Sequence, residues 1–375
     1  MKRSHRFMAL GAAAMLLLAA CTAASPSASL TKVRLQLQWL DQSQFAGYYA
    51  ADKQGYYAAE GLEVTFIPGG ADVVPQQVGS APDGPEFTIA WVPKVLQARE
   101  APDSPSDLVQ IAQMFQRAGT RSVSWKTAGI NGPADWKNKK IGAWPFGNEL
   151  EVVGSATLAG LKAGTDYTRV DQSFTMNELI NARDGCAATA TDCVDVAEAM
   201  IYNEWAQLLE TTNPDTNELY QPSDFNVYDY NEHGQAMLQD ALWARDSWLK
   251  QAGNEDVATK FLRASFKGWI YCRDHPDDCV QYALDHGSQW GKGHLTWMMN
   301  EVNGLIWPSP DGIGVLNVDA WNQTITTATA GEILAKAPAD GAYRLDLAKA
   351  ALEGLDNATG TDWVKPTVPI TKGGE

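Results

Sequence analysis

Val33-Arg34-Leu35-Gln36-Leu37-Gln38 alternates apolar and polar side chains one by one, the period of a strand with one buried face. Phe45 to Gln54 follows with helical spacing and stops at Gly55. Glu63–Ile67 is a second strand, ended by Pro68-Gly69-Gly70. Phe87–Trp91, Leu108–Phe115 and Arg121–Trp125 continue the series. A second run of the same kind begins near Asn131. It takes in a helical turn at Pro133–Trp136, a strand at Lys140–Trp144 and a helix at Glu149–Leu161 whose Leu150, Val153, Leu158 and Leu161 share a broad face. A strand at Val194–Ile201, a helix at Tyr202–Leu209 and an extended segment at Phe225–Tyr230 complete it. The last third reads as helices at Ala244–Ala252, Val257–Tyr271 and Leu295–Trp307, the last stopped by Pro308. Strands alternating with helices predict an α/β fold around a largely parallel sheet. Residues 366–375 show no pattern and are expected to form a loose tail.

The first twenty residues break this rhythm. Lys2, Arg3 and Arg6 precede an apolar run from Phe7 to Ala20, too short to span a bilayer comfortably and built like a signal peptide. Leu18-Ala19-Ala20-Cys21 resembles a bacterial lipobox, in which the cysteine takes a diacylglycerol and becomes the new N-terminus. Residues 21–30, rich in Ala, Ser and Thr, then read as a flexible tether. The expected product is exported and held at the membrane by lipid. Acidic residues outnumber basic ones 45 to 29, and the net charge of −16 excludes a nucleic-acid surface.

Beyond Cys21, the cysteines form two local pairs of equal spacing, Cys186 with Cys193 and Cys272 with Cys279. Outside the cytoplasm such pairs read as two disulfides. The rival reading is one zinc site made from all four thiolates. It lacks a C-x-x-C spacing and fits export poorly. Enzyme signatures fail: G-x-S-x-G, the P-loop and H-E-x-x-H are all missing. His275, His286 and His294 lack a metal-ligand spacing and read as surface or helix-end groups. Neither a catalytic residue, a metal nor a cofactor is expected.

Aromatic content changes the picture. The chain carries 14 Trp. Trp39 ends the first strand, and the following Gln44, Phe45, Tyr48 and Tyr49 open the next helix. Trp91 and Trp144 end later strands, and Asn148 stands where it could cap the helix after Trp144. Tyr202-Asn203-Glu204 closes the strand through Ile201. In open α/β sheets, ligands lie outside the carboxyl ends of strands. Trp39, Gln44, Tyr48, Trp91, Trp144, Asn148, Tyr202, Asn203 and Glu204 are therefore the candidate ligand-binding residues. The Trp and Tyr rings would stack on a flat heterocycle, Glu204 would accept from ring N–H groups, and the amides would fix orientation.

These residues also carry a resemblance. Leu37-Gln38-Trp39, Phe45-Ala46-Gly47-Tyr48-Tyr49, Gly55-Tyr56-Tyr57, Glu60-Gly61-Leu62-Glu63-Val64, Lys139-Lys140-Ile141-Gly142 and Tyr202-Asn203-Glu204 resemble the thiamine-pyrimidine-precursor and riboflavin receptors of ABC importers, and the related eukaryotic thiamine-pyrimidine synthases. The resemblance runs from about Val33 to Trp307 and implies a type 2 periplasmic-binding-protein fold. Lobe one would comprise 31–125 plus 231–365 and lobe two 126–230, with crossings near 121–126 and 225–238. A monomer would close on a small aromatic heterocycle and present it to a membrane permease. Where the synthases carry a histidine before the glycine, this chain has Gln44 and Phe45, and their Cys-rich segment is missing, so the resemblance implies a receptor and not an enzyme. Trp91 and the tryptophan richness favour the wider ring of riboflavin. A pyrimidine precursor such as formylaminopyrimidine or hydroxymethylpyrimidine is the alternative, a pyrimidine synthase-like enzyme a further one, and a receptor for an organic anion such as a sulfonate the last.

Overall fold

The computed structural model of the protein describes residues 29–375. The expected signal peptide, the acylation site at Cys21 and most of the 21–30 tether lie outside the described residues. In chain order the strands are β1 (Thr31–Gln36), β2 (Leu62–Ile67), β3 (Phe87–Ala90), β4 (Leu108–Gln113), β5 (Thr120–Trp125), β6 (Lys140–Ala143), β7 (Thr168–Asp171), β8 (Ala197–Met200), β9 (Phe225–Asp229) and β10 (Ala241–Arg245).

Lobe one is built on a five-stranded sheet of order β2-β1-β3-β10-β4. β1 runs parallel to β2, with Val33 opposite Val64, and parallel to β3. β10 lies between β3 and β4, antiparallel to both. Lobe two holds the antiparallel sheet β8-β5-β9 and the parallel pair β6-β7, linked by a bridge between Ile141 and Val196. Both lobes are α/β, as the alternating pattern predicts, but the sheets are mixed rather than largely parallel: β3-β10, β10-β4, β5-β8 and β5-β9 all pair antiparallel.

Three readings of the sequence are corrected. β5 pairs on both sides with strands of lobe two, so the chain crosses between lobes at 114–119, before the expected 121–126. Ala244–Ala252 is not a helix: Ala241–Arg245 is a strand, and only Asp246–Leu249 turns helical. β10 is buried on both faces, so its side chains do not alternate, and its pattern cannot be told from that of a buried helix. Finally, 366–375 is not loose. Asn300 Nδ2 donates to Pro366 O at 3.0 Å, Gly373 N donates to Glu210 O at 3.1 Å, and Ile370 packs on the lobe-two core. These are mostly main-chain contacts, which leave no side-chain periodicity to read.

The helix after β1, Ala46–Lys53, is fixed by the 21-residue helix Asn254–Asp274. The two touch through glycine. A Cβ on Gly268 would lie 2.0 Å from Gly47 O, and one on Gly47 would lie 2.1 Å from the Trp269 ring. Sulfur–sulfur bonds join Cys186 to Cys193 and Cys272 to Cys279.

The crossing is stitched by side chains. Gln239 Oε1 accepts from Gly119 N at 2.7 Å, and its Nε2 donates to Thr120 Oγ1 and to Glu151 Oε2. Glu151, from the lobe-two helix Leu150–Leu158, also accepts from Met237 N at 2.7 Å. Removing this carboxylate orphans buried donors, so Glu151→Ala should cost about 2–3 kcal/mol in urea unfolding. Burial raises Glu151 from 4.5 to about 7. The folded chain thus binds this proton more tightly than the unfolded chain, and Glu151's contribution to stability falls as pH rises from 4.5 through about 7. Urea midpoints at pH 5.5 and 8 should show a smaller acid-to-neutral loss in Glu151→Gln than in the wild type.

Candidate functional site

β1, β3, β6 and β8 all end toward the seam between the lobes, and the residues after them wall a narrow cavity that is partly open to solvent. Of the nine candidates, Trp39, Gln44, Trp91, Trp144, Asn148, Tyr202, Asn203 and Glu204 line it. Tyr48 does not. It sits in the lobe-one core with its ring edge-on to Trp269, centroids 5.6 Å apart, because the Gly47–Gly268 contact turns that helix face inward.

The aromatic walls come from both lobes. Trp39 meets Phe174 across the seam at 4.4 Å between centroids, and Trp144 lies nearly parallel to Phe174, 14° and 6.3 Å apart. The indole N–H groups of Trp144 and Trp91 are already used. Trp144 Nε1 donates to Ser173 O, and Trp91 Nε1 to Asp240 Oδ1, both at 2.9 Å. What these rings offer the cavity is therefore their faces.

Asp240 organises the lobe-one side. Its Oδ2 accepts from Gln44 Nε2 at 2.8 Å, and Gln44 Oε1 accepts from Gln42 Nε2 at 2.6 Å. Gln44 is thus spent on the wall, and the free groups are the carbonyl oxygens of Gln42 and Gln38. Both oxygens are buried without a protein partner, and both residues line the cavity. Two unpartnered acceptors there call for N–H donors on a ligand.

On the lobe-two side, Gln207 Nε2 donates to Phe174 O and to Asn203 Oδ1. The same Oδ1 lies 3.0 Å from His294 Nε2, whose Nδ1 is 2.9 Å from Glu210. These bonds leave Asn203 Nδ2 as the end of the amide available to the cavity. His294 is a helix-end group, in the first turn of the helix Lys292–Ile306, but it is fully buried rather than on the surface; its partners are 84 and 91 residues away, beyond any local pattern. Asn148 is not a helix cap either. The helix starts after Glu149, and Asn148 instead donates to Pro145 O and accepts from Lys94 Nζ at 2.8 Å, across the seam.

The charged groups are strongly displaced by burial. It raises Glu204 to about 7, against a hydrogen bond from Met200 N, and Asp240 to about 6, against bonds from Gln44 and Trp91. It also pushes Glu198 well above the usual carboxylate range, and lowers Lys94 to about 8. Gln38, Gln42, Phe174, Met200, Lys94 and Asp240 were not singled out from the sequence. Gln38 and Gln42 flank Trp39 in the cluster that drew attention, whereas Phe174 and Asp240 fall in segments without periodicity. No group of three or more His, Cys, Asp or Glu that could hold a metal ion occurs among the described residues.

This site can be set beside known proteins. The chain is 26% identical over 358 residues to the riboflavin-binding protein RibY of Chloroflexus aurantiacus, covering 89% of this chain and 95% of that one. It is 22% identical over 322 residues to the formylaminopyrimidine-binding protein of Halalkalibacterium halodurans, covering 84% and 90%. Among solved structures, the ligand-binding component of an ABC-type import system from Staphylococcus aureus superposes with a TM-score of 0.58 at 12% identity, covering 86% of this chain and 99% of that one. The shared fold is that of the periplasmic binding proteins. Residues 42–279, more than half of the sequence, match the model of the NMT1/THI5-like family, and the chain belongs to that family.

Proposed function

We propose that this chain is the substrate-binding component of an ABC-type importer and that its ligand is riboflavin. The observation that carries this reading is the cavity itself. It combines aromatic faces from both lobes with two unpartnered amide oxygens, Gln38 Oε1 and Gln42 Oε1, and a free amide N–H₂ on Asn203. A flat ring whose edge carries both N–H and C=O groups satisfies that set. The lobes would open to admit the ring and close over it through the contacts of Trp39 with Phe174 and Lys94 with Asn148. The closed form would be what the permease reads.

A second reading is favoured by one feature. The 4.4 Å approach of Trp39 to Phe174 narrows the cavity, which suits a single ring such as a formylaminopyrimidine. In either case the protein would act outside the cytoplasmic membrane, tethered through acylated Cys21. No helix among the described residues is long and apolar enough to cross a membrane.

Titration with riboflavin and with formylaminopyrimidine, following tryptophan and flavin emission, tests the proposal. Riboflavin emission should fall as it binds beside Trp39, Trp91 and Trp144. If neither compound changes emission or melting temperature at high micromolar concentration, the receptor reading is wrong.

Glu204→Gln should weaken binding by about 1.5–3 kcal/mol, the range for hydrogen bonds to charged groups. An unchanged affinity removes Glu204 from the site. The pH dependence follows from the value of about 7. A ligand N–H favours the ionised carboxylate, so binding expels a proton. Affinity should therefore tighten as pH rises to about 7 and level off above it, and Glu204→Gln should flatten this profile.

A further inference from the structure

Beside the ring cavity lies a small alcove that shares Gln38, Trp39, Asn148 and Phe174 with it as a common wall. Lys94, from the helix Val92–Arg99, lines this alcove and is 3% exposed. Its ammonium donates to Asn148 Oδ1 and lies 5.0 Å from the centroid of the Trp91 ring. No carboxylate lies within 4.0 Å of it among the described residues, although Asp240, Glu149 and Glu198 exert a longer-range pull. An ammonium has three donors, and an amide oxygen answers only one. Buried charges are ordinarily paired, because an unpaired one forfeits its hydration.

The lysine is also held in place. The turn Phe146-Gly147 has positive φ at both residues, 66° and 89°, and a Cβ on Gly147 would lie 2.9 Å from Lys94 Cγ. Left-handed backbone at a non-glycine residue such as Phe146 costs energy and persists where surrounding structure imposes it. Here it lets the chain close over the lysine stem, while the Phe146 side chain stays 59% exposed at the rim of the alcove.

We propose that the alcove is a subsite for a phosphomonoester arm of the ligand, with the Lys94 ammonium as its counter-charge. The subsite rests on the ring-receptor reading above and extends it: the ring lies between the tryptophans and its substituent reaches the alcove. A phosphate supplies the acceptors that Asn148 leaves unanswered, in a charge-assisted bond stronger than a neutral one. Lys94 stays charged through neutral pH despite burial, since it is lowered only to about 8.

The test compares riboflavin with riboflavin 5′-phosphate, and hydroxymethylpyrimidine with its phosphate, on the whole exported chain. In the wild type the phosphorylated member of the pair that binds should be favoured by about tenfold or more at pH 7, and the preference should fade above about pH 8 as Lys94 loses its proton. Lys94→Met should abolish the preference by weakening the phosphorylated ligand at least tenfold more than its parent. Asn148→Ala breaks the bond across the seam but keeps the ammonium, so the preference should survive in that variant. Equal affinity of both members in the wild type overturns the subsite while leaving the receptor reading intact. So does an equal loss for both members in Lys94→Met, which would make Lys94 a latch between lobes and nothing more. Failure of all four compounds to bind defeats the receptor reading and the subsite with it.

Discussion

Two adjacent residues, Gln239 and Asp240, hold together what everything else in this protein depends on. Gln239 ties the start of β5 to the lobe-two helix through Gly119, Thr120 and Glu151. Asp240 fixes Trp91 and Gln44 on the lobe-one wall of the cavity. The backbone at Asp240 is forced to a positive φ of 23° so that the two side chains can face these different partners. Buried, fully bonded polar groups of this kind are costly to break and leave few alternative arrangements. The hinge and the cavity floor therefore share one piece of rigid backbone. A movement of the lobes about the crossing would carry the aromatic wall with it.

The electrostatics of the cleft follow from the same burial. Asp240, Glu198 and Glu204 are all displaced toward their neutral forms, and Lys94 is displaced in its own neutral direction. Such a site is poorly suited to a fully ionic solute. It fits a largely neutral ring whose polar edge meets amides, with charge recognised at one corner. That distinguishes it from a cleft built to hold a small inorganic anion, where a ring of positive donors would be needed.

Much of the architecture was legible because strand ends are local. Trp39, Trp91, Trp144 and Tyr202 lie within three residues of a strand's carboxyl end, and all four line the cavity. Tyr48 misled, since its orientation depends on a glycine contact between helices more than two hundred residues apart. Asp240 and His294 were invisible for a related reason: each owes its importance to partners distant in sequence, and neither disturbs the local pattern. Gln38 and Gln42 were in view but unweighted. Only the three-dimensional bonding shows that Gln44 is committed to Asp240 while its neighbours are left with free oxygens.

The position of β10 has a bearing on how the chain reaches this state. Residues 241–245 slot between β3 and β4, strands that emerge more than a hundred residues earlier. Until that segment arrives, the sheet of the first lobe has a gap between β3 and β4, with β4 unattached on the far side. Most of the second lobe lies between the two halves of the first in the sequence and can begin to assemble before the first is complete, with Ile370 packing on its core last. Closing a sheet across so long an insertion is entropically slow. Such a delay keeps the outer strands of the first lobe from locking before the second lobe is in place.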